Sequence, residues 1–430
     1  MNSICPQRTD MSHFTLQHGE LHAEQVPLSR IAEAVGTPVY IYSRAQLEDN
    51  ANSLRHGLSV LPRFHLAYAI KANPNLAVVN VLAKLGYGAD IVSAGEMQRA
   101  LAAGMPAEAI VFSGVGKTVT EMEAALDAGV GQFNIEIEEE GQVLSALAVA
   151  RGTCAKAVLR VNPNVDAGTH AKISTGKAEN KFGVAISDAP AIFARLAALP
   201  GLTMRGVASH IGSQISDLAP LETTYRRIGE LVAHLRGAGH TITHVDFGGG
   251  FGVAYRPMDV YPTPEAIGAM IARVTDGWDA TLMFEPGRVI AGNAGVLLTQ
   301  VIWVKPGVGH PWVIVDAAMN DLARPVLYDA HHEFSAVRPT GAKMVANLAG
   351  PVCESGDTFA MGREIDSVVR GDFAVLHTAG AYGATMASTY NSRALVPEVL
   401  VDGDRYAVVA DRIAASTIMG AERVPEWLTA

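Results

Sequence analysis

Cysteine is nearly missing from this chain: there are three in 430 residues, Cys5, Cys154 and Cys353, far apart and in no C-x-x-C pair. That scatter excludes a disulfide framework. With no closely spaced histidines beside them, it also excludes a structural zinc site. Basic charge is short as well: 33 Lys and Arg against 43 Asp and Glu leave a net charge of −10. A nucleic-acid surface carries the opposite excess. No apolar run is long enough to cross a bilayer. The first ten residues, Met1 to Asp10, lack the apolar centre of a signal peptide and read as a short lead-in, with Met11 an alternative start. Internal repeats and low-complexity linkers are absent. The expectation is a cytoplasmic protein with no metal, no nucleic-acid partner and no membrane contact.

What the chain does have is core-forming material, 49% hydrophobic with 18% charged residues, the balance of a globular protein. Its length suits two domains. From about residue 64 to 290, short apolar, β-branched runs alternate with Ala-, Leu- and Glu-rich stretches. The runs are His65–Ala72, Gly88–Ser93, Ala109–Ser113, Gln132–Ile137, Ala157–Asn162, Met204–His210, His244–Phe247 and Thr281–Glu285. Helical stretches between them include Pro74–Leu85, Glu138–Ala150, Leu221–Leu235 and Pro264–Val274. Eight strands alternating with helices predict a parallel (β/α)8 TIM barrel over residues 44–290, with a doubly wound open sheet as the alternative. After about Gly292 the pattern turns to strands, Gly295–Val304, Trp312–Val315, Asp366–Leu376 and Arg405–Ala410, and Pro38–Tyr42 reads the same way. Residues 1–43 and 291–430 therefore predict a smaller, mostly antiparallel β domain built from both chain ends.

The C-terminal ends of barrel strands carry the chemistry of that fold. Here those ends read Lys71, Asp90, Ser93, Asn162, His210, Gly248-Gly249-Gly250 and Glu285-Pro286-Gly287-Arg288. A strand-end lysine more often reaches for solvent, but one whose pKa is lowered is a nucleophile that forms a Schiff base with a carbonyl. The glycine run frees backbone N–H groups for close approach to a phosphate, or is simply a turn. Glu285 ends an apolar run and needs a partner: Arg288, or a pyridine nitrogen that it keeps protonated. His210 is a satisfied core histidine or a flat face for stacking. Pyridoxal 5′-phosphate accounts for all four, with an aldehyde, a phosphate, a ring nitrogen and a ring face.

These segments, Tyr68-Ala-Ile-Lys-Ala-Asn73, Gly88-Ala-Asp-Ile-Val-Ser93, Ser209-His-Ile-Gly-Ser213, Gly248-Gly-Gly250 and Glu285-Pro-Gly-Arg288, resemble the PLP-dependent basic amino-acid decarboxylases with an alanine-racemase-like barrel. Gly350-Pro-Val-Cys-Glu-Ser-Gly-Asp357 and Gly380-Ala-Tyr-Gly-Ala-Thr-Met386 extend the resemblance into the β domain, so that it covers about residues 36 to 420. It implies that Lys71 carries the cofactor and that Cys353 reprotonates the α-carbon. It places the phosphate near Ser213, Gly248, Gly249 and Gly250, with Arg288 and Tyr382, and groups Asp90, His210, Glu285 and Gly287 around the rest of the cofactor.

The Cys-Glu-Ser segment, where ornithine-type relatives carry Cys-Asp, implies a small amino-acid substrate, meso-2,6-diaminopimelate, decarboxylated to L-lysine. Arg288, Arg324 and Tyr328 would then hold its distal carboxylate, and Glu354 its distal ammonium, with Tyr382 also on the substrate. A bidentate arginine suits that carboxylate. The resemblance further implies a homodimer with shared active sites, Cys353 and Glu354 crossing the interface. The alternatives are a decarboxylase for ornithine, arginine or a D-amino acid, and a non-catalytic homologue.

Overall fold

The computed structural model describes residues 12–168, 175–176 and 180–428. The lead-in Met1 to Asp10, Met11 and Cys5 lie outside the described residues. Eight strands form the predicted barrel: Phe64–Ala69, Gly88–Ile91, Ile110–Phe112, Gln132–Ile135, Ala155–Asn162, Leu202–Ala208, His244–Asp246 and Thr281–Phe284. Each pairs in parallel with the next, and the eighth pairs with the first (Leu282 opposite Phe64), so the sheet closes and the open-sheet alternative falls. Strands buried on both faces are rich in apolar residues, which is why the sequence showed them.

The helices between strands begin where local chemistry says they should. Helix Val119–Ala128 starts at a Thr118–Glu121 capping box and stops at Gly129, whose φ of +77° suits glycine. Helix Pro264–Val274 has Thr263 as its cap and Pro264 in its first turn. Helices Glu138–Ala150 and Pro264–Val274 span the residues that the sequence predicts.

The second sheet is organised around one long strand, Gly295–Lys305. Its first half lies antiparallel to Val39–Ser43 and to Phe373–Leu376, and its second half to Trp312–Val315. Two pairings are parallel: Val39–Ser43 with Glu398–Asp402, and Trp312–Val315 with Lys343–Ala349. The run read as one strand, Asp366–Leu376, is two pieces, the end of Thr358–Asp366 and Phe373–Leu376. A turn containing Gly371, φ +93°, separates them. A three-stranded meander, Phe14–Gln17, Glu20–Ala23 and Val26–Pro27, packs beside this sheet around Phe14, Val26 and Ile31.

The two parts meet at the mouth of the barrel. Asn73 Nδ2 donates to the Gly380 carbonyl at 2.9 Å, and Tyr382 N–H donates to the Ala72 carbonyl at 2.8 Å. Gly380 is required there, because a Cβ would lie 2.1 Å from the Ala291 carbonyl oxygen. The sheet thereby presses a loop against the residues that flank Lys71.

Candidate active site

Lys71 lies in a single 3-10 turn, Ile70–Ala72, just past the first barrel strand. Its Nζ is 2.5 Å from Asp90 Oδ2, which the second strand holds fully buried. Burial opposes the ammonium, but the attraction of Asp90 and then Glu285 outweighs it, and the Lys71 pKa is raised. This is opposite to the lowered value expected from the sequence. The lysine rests as a cation paired with the Asp90 carboxylate, because the second strand sets that aspartate beside it.

Glu285, after the eighth strand, accepts from Ser113 Oγ and Asn134 Nδ2, both at 3.3 Å, while Arg288 turns to Ser213 and Tyr255. The pairing of Glu285 with Arg288 that the sequence allowed is not formed. Asp246, at the end of the seventh strand, accepts Gly248 N–H at 2.9 Å and Asn134 Nδ2 at 3.2 Å. Burial, with the charge of Asp90 adding to it, lifts the Asp246 carboxyl to about 6, against the lowering effect of its hydrogen bonds to Gly248, Glu285 and Asn134. Burial, Asp246 and Asp90 lift that of Glu285 well above the usual range. Asp90 and Glu285 thus act on the one cation, and Asp246 acts on Glu285. Asp246 and Asn134 escaped the sequence analysis, although each is a polar residue near the end of an apolar strand, the signal that singled out Glu285.

His210 lies beside the glycine turn, and Gly249 N–H donates to its Nδ1 at 3.2 Å. Burial, then Arg160 and Lys71, lower its pKa to about 3, so the ring is a neutral plane. A Cβ on Gly249 would stand 2.2 Å from the Glu285 carbonyl oxygen, and one on Gly250 2.5 Å from that of Gly212. At Gly287 a Cβ would meet those of Ala72 and Ala69 at 3.0 and 3.1 Å.

Ser213 Oγ lies 3.3 Å from Arg288 Nε and Nη2, and the Arg288 guanidinium sits 4.6 Å from the Tyr382 ring centroid. Arg324 is buried in the short helix Arg324–Tyr328, and Tyr328 is half-buried at its end. Arg324 Nη1 contacts His332 Nε2 at 3.0 Å, and its guanidinium lies 4.6 Å from the Tyr255 ring centroid. Tyr255 and His332 were missed; nothing in their local sequence sets them apart. Cys353 and Glu354 occupy an exposed loop, where Cys353 N–H donates to Asn391 Oδ1 at 3.0 Å and Glu354 accepts from the Tyr390 hydroxyl.

The site fits a phosphorylated aldehyde. Asp90 Oδ1 and Ser209 Oγ are buried without hydrogen-bond partners at the strand ends. The glycine turn admits nothing larger than backbone, and Arg288 has neutral partners. A cavity of about 270 Å³ opens at the other end of the barrel, among His65, Arg205 and His244. It holds no lysine–aspartate pair and lies at the end of the strands associated with stability.

Residues 44–292 match the family described as pyridoxal-dependent decarboxylase, pyridoxal binding domain. The chain belongs to the pyridoxal-dependent decarboxylases, and pyridoxal 5′-phosphate is its cofactor. Over 423 residues it is 50% identical to the diaminopimelate decarboxylase of Zymomonas mobilis, covering 97% of this chain and all of that one. The diaminopimelate decarboxylase of Helicobacter pylori, solved with L-lysine, superposes with a TM-score of 0.88 at 36% identity, covering 91% of this chain and 98% of that one. The enzyme of M. jannaschii in complex with L-lysine gives 0.93 at 33% identity, over 96% and 98%. Within the decarboxylases, the family is that of the diaminopimelate decarboxylases.

Proposed function

We propose that the barrel mouth catalyses decarboxylation of meso-2,6-diaminopimelate to L-lysine and CO2. The observation that carries this reading is the pairing of a cofactor lysine with two buried guanidiniums whose partners are neutral. Tyr382 links the two regions, its N–H on Ala72 and its ring under Arg288. An amino acid with a second carboxylate is the ligand that such a site suits.

Lys71 holds the cofactor aldehyde. Gly248, Gly249, Gly250, Ser213 and Arg288 hold its phosphate, and Tyr382 borders it. Asp90 and Gly287 complete the wall, and the neutral His210 ring offers a face. Pyridoxal phosphate supplies a ring that accepts the electron pair left on carbon when CO2 departs.

The chain's own residues manage protons and charge. Asp90 Oδ2 stands ready to take the proton that Lys71 Nζ must lose before its amine attacks a carbonyl. Glu285, already biased toward its protonated form, can share that proton with a ring nitrogen. Cys353 delivers a proton to the α-carbon. Arg288, Arg324 and Tyr328 hold the carboxylate that the product keeps, and Glu354 holds the adjoining ammonium. Decarboxylation of the D-centre leaves that carboxylate in L-lysine, so substrate and product share the clamp.

Cys353 and Glu354 are exposed in a single chain, which supports their service to a second copy. The working unit in this reading is a homodimer with shared sites, the barrel over 44–290 and the β domain over 1–43 and 291–430. Among the described residues no helix is long and apolar enough to cross a membrane, and the chemistry suits the cytoplasm. CO2 release from meso-diaminopimelate by the PLP-loaded protein, with ornithine, arginine and D-lysine as controls, tests the reading. Release from diaminopimelate alone is expected; release from a control instead would overturn the assignment of Arg324, Tyr328 and Glu354.

A further inference from the structure

Arg288 and Arg324 are buried like charges, 6% and 5% exposed. Burial lowers the Arg324 pKa and Arg288 lowers it further, against the opposing pull of Tyr255. Such a pair needs something to keep it apart and aimed. Tyr255 stands between them. Its hydroxyl accepts from Arg288 Nη1 at 2.7 Å, and its face carries Arg324, with the guanidinium carbon 4.6 Å from the ring centroid.

His332 completes the brace. Its ring packs edge-on against Tyr255, centroids 5.4 Å apart at 82°. His332 Nδ1 lies 2.8 Å from the His377 carbonyl, an acceptor, so Nδ1 carries the hydrogen and Nε2 is left to accept from Arg324 Nη1 at 3.0 Å. The imidazole is neutral: burial, then Arg324, takes its pKa to about 3. Arg324 is thus held by His332 at Nη1 and by Tyr255 through its ring face and a side-chain hydrogen bond, while its buried Nε has no partner.

We propose that His332 and Tyr255 are positioning residues that aim the free Nε edge of Arg324 at the carboxylate shared by diaminopimelate and lysine, and so set the selectivity of the site. This rests on the reading of Arg324 as a ligand of that carboxylate. An acidic residue at 332 would satisfy Arg324 internally and fill its demand; a neutral acceptor orients the guanidinium while leaving its charge for the substrate.

The test compares binding of L-lysine and of 1,5-diaminopentane, the same carbon chain without a carboxylate, to the PLP-loaded enzyme, alongside kinetics on meso-diaminopimelate. His332→Phe should weaken L-lysine and raise KM by about tenfold or more, the range for losing a hydrogen bond to a charged group. Diaminopentane affinity should stay within about twofold and kcat within about threefold, since ground state and transition state lose the contact equally. His332→Gln, which restores an acceptor near Nε2, should recover most of the loss.

Unchanged lysine binding in His332→Phe, or equal losses for lysine and diaminopentane, would overturn the proposal. Arg324→Met separates the two levels. If it abolishes the preference for lysine while His332→Phe does not, the positioning role fails and the ligand reading stands. If Arg324→Met leaves the preference intact, the ligand reading fails first. Should His332→Phe not fold, Tyr255→Leu removes the face under Arg324 and should shift the same preference in the same direction.

Discussion

Replacing Asp246 by Asn tests the crowding of carboxyls at the barrel mouth through a slope rather than a single number. Burial, with Asp90 adding to it, raises Asp246 from the ordinary 3.8 to about 6. Between those values the native state binds a proton that the unfolded chain does not, so native stability falls as pH rises through the window. At 1.36 kcal/mol per pH unit the full loss is about 3 kcal/mol, of which about 1.3 kcal/mol falls between pH 5 and 7. Asn cannot ionise and escapes this loss. Its amide also meets the donors Gly248 N–H and Asn134 Nδ2 with one acceptor fewer, a cost that does not depend on pH. The offset between the two proteins is therefore set by hydrogen bonding, while the slope is set by charge. Urea unfolding of both cofactor-free proteins at steps from pH 5 to 7 should show the variant gaining at least about 1.3 kcal/mol relative to wild type. Relief at Glu285, whose carboxyl Asp246 also raises, adds with the same sign. A flat or falling difference would refute the account of these charges.

Other expectations follow from single contacts. Lys71→Ala should abolish the protein–cofactor absorbance band, and borohydride should fix the cofactor to Lys71 in wild type; a variant that kept both band and activity would remove Lys71 from the mechanism. Gly249→Ala would set its Cβ 2.2 Å from a backbone oxygen, costing about 1–3 kcal/mol or more and weakening cofactor binding. An unchanged melting temperature and affinity would show that the turn yields. Lys117, whose side chain is fully buried, is 2.7 Å from Glu140 and also donates to the Gly114 and Asn134 carbonyls. Lys117→Met leaves a buried carboxylate uncompensated and should destabilise by about 3–5 kcal/mol, read from the urea midpoint; a shift below about 1 kcal/mol would contradict this.

The barrel was legible because short apolar runs alternate with helical stretches, several of the runs closing on a polar residue such as Ser93, Asn162, His210 or Glu285. The second sheet was legible only in part. Lys343–Ala349 and Thr358–Asp366 mix Ala, Gly and charge, as in Ala346, Ala360, Gly362 and Glu364, and resemble loops locally. Their strand character comes from pairing with each other and, for Lys343–Ala349, with Trp312–Val315. In the site, Lys71 and Glu285 stood out as intrusions into apolar sequence. The direction of the Lys71 pKa could not be read, since it depends on Asp90 arriving from the next strand. Tyr255 and His332 were invisible for the same reason: each matters only through arginines distant in the chain.

The placement of Val39–Ser43 has a consequence for how the chain matures on the ribosome. One edge of that strand pairs with Gly295–Leu298 and the other with Glu398–Val401, so its final neighbour is made roughly 350 residues later. At about 5–20 residues per second, the strand waits on the order of 20–70 s with an unpaired edge. The barrel strands, from Phe64 to Phe284, all emerge within that interval and can close first. The loop carrying Gly380 and Tyr382 then settles onto Ala72 and Asn73, so the lysine gains its finished surroundings only after more than 300 further residues have been made.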